Sequence, residues 1–458
     1  MVEQKNDRDD VLYDEDFLRI LLLNNEIHQF RESFLELHPY DQSQFYEKVG
    51  PDIRKIMYHF LSPQEMAVIF REIEVEDEAY QGYLKEMDTA YGASMLEEMY
   101  TDDAVDILNE LNNKERESYL EMMDSETADE INELLSYAEY TAGAIMTTEY
   151  VSILESSTVR SAMAVMRKEA PTAETIYYIF VVNDEHQLTG VMSLRDLIIA
   201  DEDALIRDIM SERVVSVQLT TDQEEAAQIM KDYNFLALPV INEAGVLQGI
   251  ITVDDIIDVI EEEASDDYSK LAGISDMDDI KDGPLRSVKN RLPWLIILLF
   301  LGMLTANLMS RFEQTLDQVA LLALFIPLIS GTSGNSGTQA LAVAVRGIAT
   351  GEISESSKVK LLFREMLTGF IMGLICAVIV VGIVFFWKGS LIIGLLVGGA
   401  ICCSILVATL AGSFIPLLIH KMGIDPAVAS GPFITTLNDV TSLMIYLGLA
   451  TMFLNQIM

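Results

Sequence analysis

The 458-residue chain changes character once, between Asp282 and Gly283, and that break constrains its fold more than any other feature. Residues 1–282 carry 65 acidic and 20 basic side chains, a net charge of −45, whereas residues 283–458 carry 7 and 10, a net of +3. The second part holds five apolar stretches, Leu292–Met309, Val319–Val345, Leu361–Trp387, Leu391–Ile419 and Ala427–Leu454. Each reaches the roughly 18 residues that a membrane-crossing helix requires. An acidic soluble portion followed by a five-helix α transmembrane domain is the expected architecture. A surface that acidic repels nucleic acid and attracts cations, so no nucleic-acid partner is expected.

Basic residues between the apolar stretches set the orientation, because cytoplasmic loops carry the excess of lysine and arginine. With the N-terminal part inside, the inner segments hold Arg286, Lys289, Arg291, Arg346, Lys358, Lys360, Arg364 and Lys421, and the outer ones only Arg311 and Lys388. This predicts a multi-pass protein of the plasma membrane with its soluble domains and N-terminus in the cytoplasm and its C-terminus outside. The opening MVEQKNDRDD has neither a basic n-region nor an apolar h-region, so no cleaved leader is expected. The five histidines are scattered, and Cys376, Cys402 and Cys403 sit in apolar runs, so neither a zinc site nor a disulfide framework is expected.

Asp439 is the only charged residue between Asp425 and the C-terminus. An ionised carboxylate at membrane depth costs about 2.5–3.5 kcal/mol even on the lenient scale, so it faces a partner, water or an ion. Thr435, Thr436 and Ser442 fall at i−4, i−3 and i+3, on its side of a helix. These point to a cation path, against the blander reading of a protonated acid held inside a bundle. In the second stretch, FIPLISGTSGNSGTQA (Phe325–Ala340) is polar and glycine-rich. Pro327 is expected to interrupt the helix there, since irregular polar backbone is tolerated in a membrane only along a cavity or in a protein interior. Glycine-mediated packing accounts for Gly331, Gly334 and Gly337, but not for the amides of Asn335 and Gln339, which are assigned to a pore lining.

Two segments of the soluble part repeat, Ala142–Ile198 and Ile206–Ile257, with Gly190 and Gly249, then Asp196 and Asp255, in matching positions. Each reads as a strand, an amphipathic helix, a hairpin of two apolar strands and a closing helix. The paired signatures LTGVMSLRDL and LQGIITVDDI resemble a tandem pair of cystathionine-β-synthase (CBS) domains, an α/β fold. The resemblance implies adenosine-nucleotide binding, with Arg195 and Asp196 on ribose or phosphate and Tyr178 and Phe235 beside the adenine; a pair that only couples domains is the alternative. Residues 12–137 show short helical periods without strand alternation, an all-α domain. Ser62 and Glu65 read as a capping box, and Thr101 as the cap of a helix carrying Asp102 and Asp106. A bound cation would relieve their i, i+4 repulsion. A helix from Val253 to about Leu271, ending near Gly273, should present Asp254, Asp258, Glu261, Glu262 and Asp266 and link the soluble and membrane parts.

Taken in order, the chain resembles the MgtE family of magnesium channels or transporters, most specifically at GNSGTQ (Gly334–Gln339) and DPAVASGPFITTLND (Asp425–Asp439). The resemblance implies an acidic helical N domain (1–137), CBS pair (138–258), connecting plug helix (259–284) and membrane domain (285–458), assembled as a homodimer around an axial pore. It assigns Asp439 to the pore and Asp425 to its cytoplasmic side. It assigns regulatory magnesium to Asp102, Asp106, Asp222, Glu224, Asp254, Glu262 and Asp266, while Asn234 stands where an acid is expected. A transported Mg²⁺ that keeps several waters suits one carboxylate with carbonyl and hydroxyl oxygens. The expected function is Mg²⁺ uptake, shut off by cytoplasmic Mg²⁺, with ATP as a regulator; neither a Walker A nor a DKTGT motif is present, and no enzymatic activity is expected. Hard oxygen ligands discriminate poorly against Mn²⁺ or Co²⁺. Transport of those ions, ion-coupled exchange and a membrane-anchored CBS sensor are the alternatives.

Overall fold

Short, individually capped helices build the first part of the chain in the computed structural model, which describes residues 14–73, 77–275, 283–353 and 357–454. Ten helices run from α1 (Glu15–Leu23) to α10 (Ser125–Leu134) among the described residues. In α5 (Pro63–Arg71) Ser62 and Glu65 form the expected reciprocal capping box. In α8 (Thr101–Asn109) the expectation fails: Tyr100 is the N-cap and Thr101 is already helical. The Thr101 hydroxyl donates instead to Glu149 Oε1 at 2.6 Å, so a tertiary acceptor outcompetes the local cap. Phe30, Phe34, Phe45, Tyr46 and Phe70 fill the core of this helical array.

The two repeats then fold as written in the sequence. The first is β1 (Ser152–Leu154), α11 (Val159–Glu169), β2 (Tyr178–Val182), β3 (Leu188–Ser193) and α12 (Leu194–Ile199). After a single-turn helix α13 (Ile206–Ile209), the second is β4 (Val217–Gln218), α14 (Gln223–Tyr233), β5 (Ala237–Ile241), β6 (Leu247–Thr252) and α15 (Val253–Ala272). Each sheet places its middle strand parallel to the first and antiparallel to the third. The repeats are cross-tied: Thr147, ahead of β1, bridges Ile250 in β6, and Ser211, ahead of β4, bridges Val191 in β3. Gly190 and Gly249 make room for these crossings. A Cβ on Gly190 would lie 2.4 Å from Met210 Sδ, and one on Gly249 2.6 Å from the Thr147 carbonyl. Asn234, where an acid was expected, ends α14 at φ 54°, a left-handed position that Asn tolerates better than most residues.

The chain forms two compact units, Met1–Ile260 and Glu261–Met458. In the second, four helices among the described residues are long and apolar enough to cross a membrane: α16 (Pro284–Ser310), α19 (Lys358–Lys388), α20 (Leu391–Lys421) and α21 (Gly431–Met452). Between α16 and α19 lie a short helix, α17 (Glu313–Gln318), a 3₁₀ segment (Ala320–Phe325) and α18 (Ile326–Ala349). The 24-residue α18 is long enough to span but too polar to qualify by composition. The expected interruption at Pro327 is therefore corrected: proline occupies the first turn, where its missing N–H costs nothing, and GTSGNSGTQA is continuous helix. The glycines admit close neighbours. A Cβ on Gly337 would sit 1.9 Å from Asn438 Nδ2, and one on Gly334 2.9 Å from Thr435 Cγ2. The helix α15 ends as expected, with Gly273 at φ 72°; the rest of the connecting segment, residues 276–282, lies outside the described residues.

Candidate cation sites

Asp439, half-buried on α21, accepts a hydrogen bond from Ser330 Oγ on α18. It makes no ion pair among the described residues. Of its expected companions, Ser442 is buried and donates to the Asp439 carbonyl at 3.1 Å, while Thr436 donates to the Pro432 carbonyl at 2.9 Å. Thr435 packs on Gly334. Asn335 and Gln339 lie with Gly331 on an exposed stripe of α18, at i, i+4, i+8. Two polar participants escaped the sequence reading. Ser330 looked like one more small residue before the glycines, and only the α18–α21 crossing reveals it. Asn438 is 0% exposed with both amide atoms unpartnered in this chain.

A second site lies wholly within the first unit. Asp102, in the first turn of α8, is 7% exposed, and carboxylate oxygens of Asp102, Glu174 and Asp255 lie within 4.8 Å of one another. Asp102 comes from the helical domain, Glu174 from the loop before β2, and Asp255 from the first turn of α15. Burial, then Asp255, pushes Asp102 well above the carboxylate range. Burial and Asp255 raise Glu174 to about 8, and burial raises Asp255 against the hydrogen bond from Thr252. Neighbouring Asp103 reaches about 7, chiefly by burial. Three acids with no cation among them are unstable as anions, and a hard divalent ion is the group that fits oxygen ligands at this spacing.

The other expected ligands do not converge. Asp106 is exposed, four residues along α8 from buried Asp102. Asp222 is the exposed N-cap of α14, accepting from Glu224 N at 2.9 Å. Glu224, Asp254 and Glu262 are exposed as well. The sequence reading selected Asp254 and missed Asp255 and Glu174. Asp255 was visible as the repeated acid of the closing helix, whereas nothing near Glu174 marks it.

Asp266 and Asp425 do meet, but around a lysine. Lys270 Nζ bonds Asp266 Oδ2 and, at 2.5 Å, Asp425 Oδ2. Although burial opposes it, hydrogen bonding to Asp266 and Asp425 raises the Lys270 pKa. Burial and Asp425 push Asp267 up to about 6. Asp425 also caps the 3₁₀ turn Pro426–Val428 through Ala427 N at 2.8 Å. Beside this ion pair Leu271 packs with Leu341, Val345, Ile415, Ala427 and Ile434, which seats the end of α15 on α18, α20 and α21.

For the nucleotide candidates, Tyr178 pairs with Ser193 across β2 and β3. Ser193 caps α12 by accepting from Asp196 N, the Asp196 carboxylate accepts back from Ser193, and Arg195 is exposed beside it. Phe235 stacks on Tyr233 at 5.2 Å and packs on a core cluster shared by the helical domain and the second repeat.

Family models match three parts of the chain: the MgtE intracellular N domain over residues 37–140, the CBS domain over 142–203 and 206–262, and a divalent cation transporter over 326–449. The magnesium transporter MgtE of Enterococcus faecalis is 51% identical over 433 residues, 94% of this chain and 95% of that protein. The chain belongs to the MgtE family. The MgtE of Bacillus subtilis is 37% identical over 97% of this chain and 99% of its own. Among solved structures, the soluble part of a magnesium transporter matches at 52% identity and TM-score 0.53, covering 55% of this chain and 98% of that one. The ATP complex of the cytosolic domain of the Mg²⁺ channel MgtE matches at 36% and 0.51, covering 54% and 99%. As an MgtE-family member, the chain combines an all-α N domain, an α/β CBS pair and a helical membrane part.

Proposed function

We propose that this protein carries Mg²⁺ across the plasma membrane along a path through Asp439 and is closed by Mg²⁺ bound to its cytoplasmic part. The carrying observation is the half-buried Asp439 carboxylate, without an ion pair among the described residues and bonded by Ser330 of α18, the helix that carries the polar stripe. Lipid cannot solvate Asn335 and Gln339, so that stripe needs water or a second copy against it. A homodimer with the path between protomers meets both needs. One carboxylate per protomer with hydroxyl and carbonyl oxygens holds an ion that keeps much of its hydration shell. The family assignment and the names of its curated relatives support magnesium as the substrate. No covalent bond is made or broken, so the protein acts as a transporter and not as an enzyme.

In this reading residues 1–137, 138–258, 259–284 and 285–458 are sensor, CBS pair, plug and pore, with the N-terminus inside and the C-terminus outside. Asp102, Glu174 and Asp255 form the buried regulatory site, and Asp106, Asp222, Glu224, Asp254 and Glu262 supply outer acids. Mg²⁺ replaces repulsion by bridging and favours the compact form by its differential affinity. The Lys270 contact to Asp266 and Asp425 holds the plug at the inner end of the bundle. ATP is assigned to Tyr178, Arg195 and Asp196, and the ATP complex of the related cytosolic domain supports ATP as the ligand. The test is Mg²⁺ uptake into proteoliposomes. Asp439→Ala should abolish flux in a protein that still folds and dimerises, and wild-type flux in that variant overturns the assignment.

A further inference from the structure

Where α18 ends and α19 begins, a cavity of about 510 Å³ opens between the two helices. Arg346, Lys360 and Arg364 line it, with Ser357 and Glu352 the other polar groups. Among the described residues the cations exceed their local acids. Arg346 reaches Glu352 only at 4.0 Å, Arg364 is held by buried Glu365 at 3.0 Å, and Lys360 has no partner among the described residues. The first turn of α19 contains no acid, and Ser357 does not cap it through its side chain. The rim is apolar: Ala342, Val343, Ile353 and Leu361 line the cavity, with Val343 exposed.

We propose that this cavity is a binding site for the phosphate headgroup of an anionic phospholipid. Guanidinium groups grip phosphate through paired N–H donors, and lysine adds a point charge. Basic pockets between spanning helices are a known setting for anionic headgroups. A free phosphate would satisfy the same cations, but the apolar rim suits acyl chains and a soluble anion gains nothing from it. The inference rests on the membrane reading of α18 and α19, and not on transport or on which side faces the cytoplasm.

The experiment uses the full-length protein, stripped of lipid in neutral detergent and titrated with dioleoylphosphatidylglycerol or dioleoylphosphatidylcholine. Retained lipid is counted by native mass spectrometry. The wild type should prefer the anionic lipid by about tenfold, a difference of about 1.4 kcal/mol. Arg346→Gln combined with Lys360→Gln should bring the two lipids to parity; Arg364 stays in place because it neutralises buried Glu365. Lys388→Gln, at the other end of α19, should keep the wild-type preference. Unchanged preference in the double variant, or displacement of phosphatidylglycerol by millimolar inorganic phosphate, overturns the proposal. Because the readout is lipid retention, a failed transport reading would leave this result standing, and the reverse.

Discussion

Asp102 and Asp106 lie four residues apart on one helix, yet only the first is withdrawn from water, and the difference sets their chemistry. Glu174 at about 8 and Asp103 at about 7 keep protons in the folded protein that the unfolded chain releases near 4. The folded state therefore binds more protons, and stability falls as pH rises from about 4 through 8 and then levels off. In chelator the unfolding temperature of the soluble part should drop by several degrees between pH 5 and pH 8.5. Mg²⁺ should cancel that drop, because it binds the ionised form. Asp102→Asn with Glu174→Gln and Asp255→Asn should be stabilised in chelator at pH 8.5 and unresponsive to Mg²⁺; a Mg²⁺ response like the wild type's would remove these residues from the site. Ser330 makes a second residue-scale case. A hydrogen bond to a charged group contributes about 1.5–3 kcal/mol, so Ser330→Ala should lower Mg²⁺ flux by roughly tenfold, read in the same liposome assay. Flux equal to the wild type's would mean that Ser330 does not orient Asp439.

Among the elements, α18 is the one whose composition misleads. Three glycines and a proline in its first half read as broken backbone, whereas the structure uses Gly334 and Gly337 for close approach to α21. Gly337→Ala should cost about 1–3 kcal/mol through overpacking against Asn438, lowering the unfolding temperature. Gly331→Ala meets nothing within 4 Å and should be neutral or slightly stabilising by thermal unfolding. Equal effects of the two would contradict the packing. The repeats were legible because strand alternation, the paired glycines and the closing acids are local signals. The capping box at Ser62 was legible for the same reason. The Asp102–Glu174–Asp255 cluster was not, since it joins three segments far apart in sequence and only tertiary packing selects Asp255 over Asp254. The Lys270 pair was missed for a related reason: an i+4 neighbour of Asp266 was visible, but its reach to Asp425 was not.

At the scale of the molecule, the proposed division between sensing and conduction falls at the charge break between Asp282 and Gly283. Neutralising Asp254, Glu262 and Asp266 together should leave a pore whose flux no longer falls as Mg²⁺ on the soluble side rises. If the triple variant still closes at the wild-type concentration, the gating model fails. Deleting residues 1–137 would remove Asp102 and should have the same outcome. The crossing of the two repeats carries a different consequence. Each repeat completes its partner's sheet with the segment that precedes its own, Thr147 on β6 and Ser211 on β3. Neither half is therefore a self-sufficient folding unit, and a chain cut near Ala204 would yield fragments with open, methionine-lined edges. Such fragments should recombine with each other, and two intact chains could trade these segments, so the repeat pair carries a built-in route to strand exchange between copies.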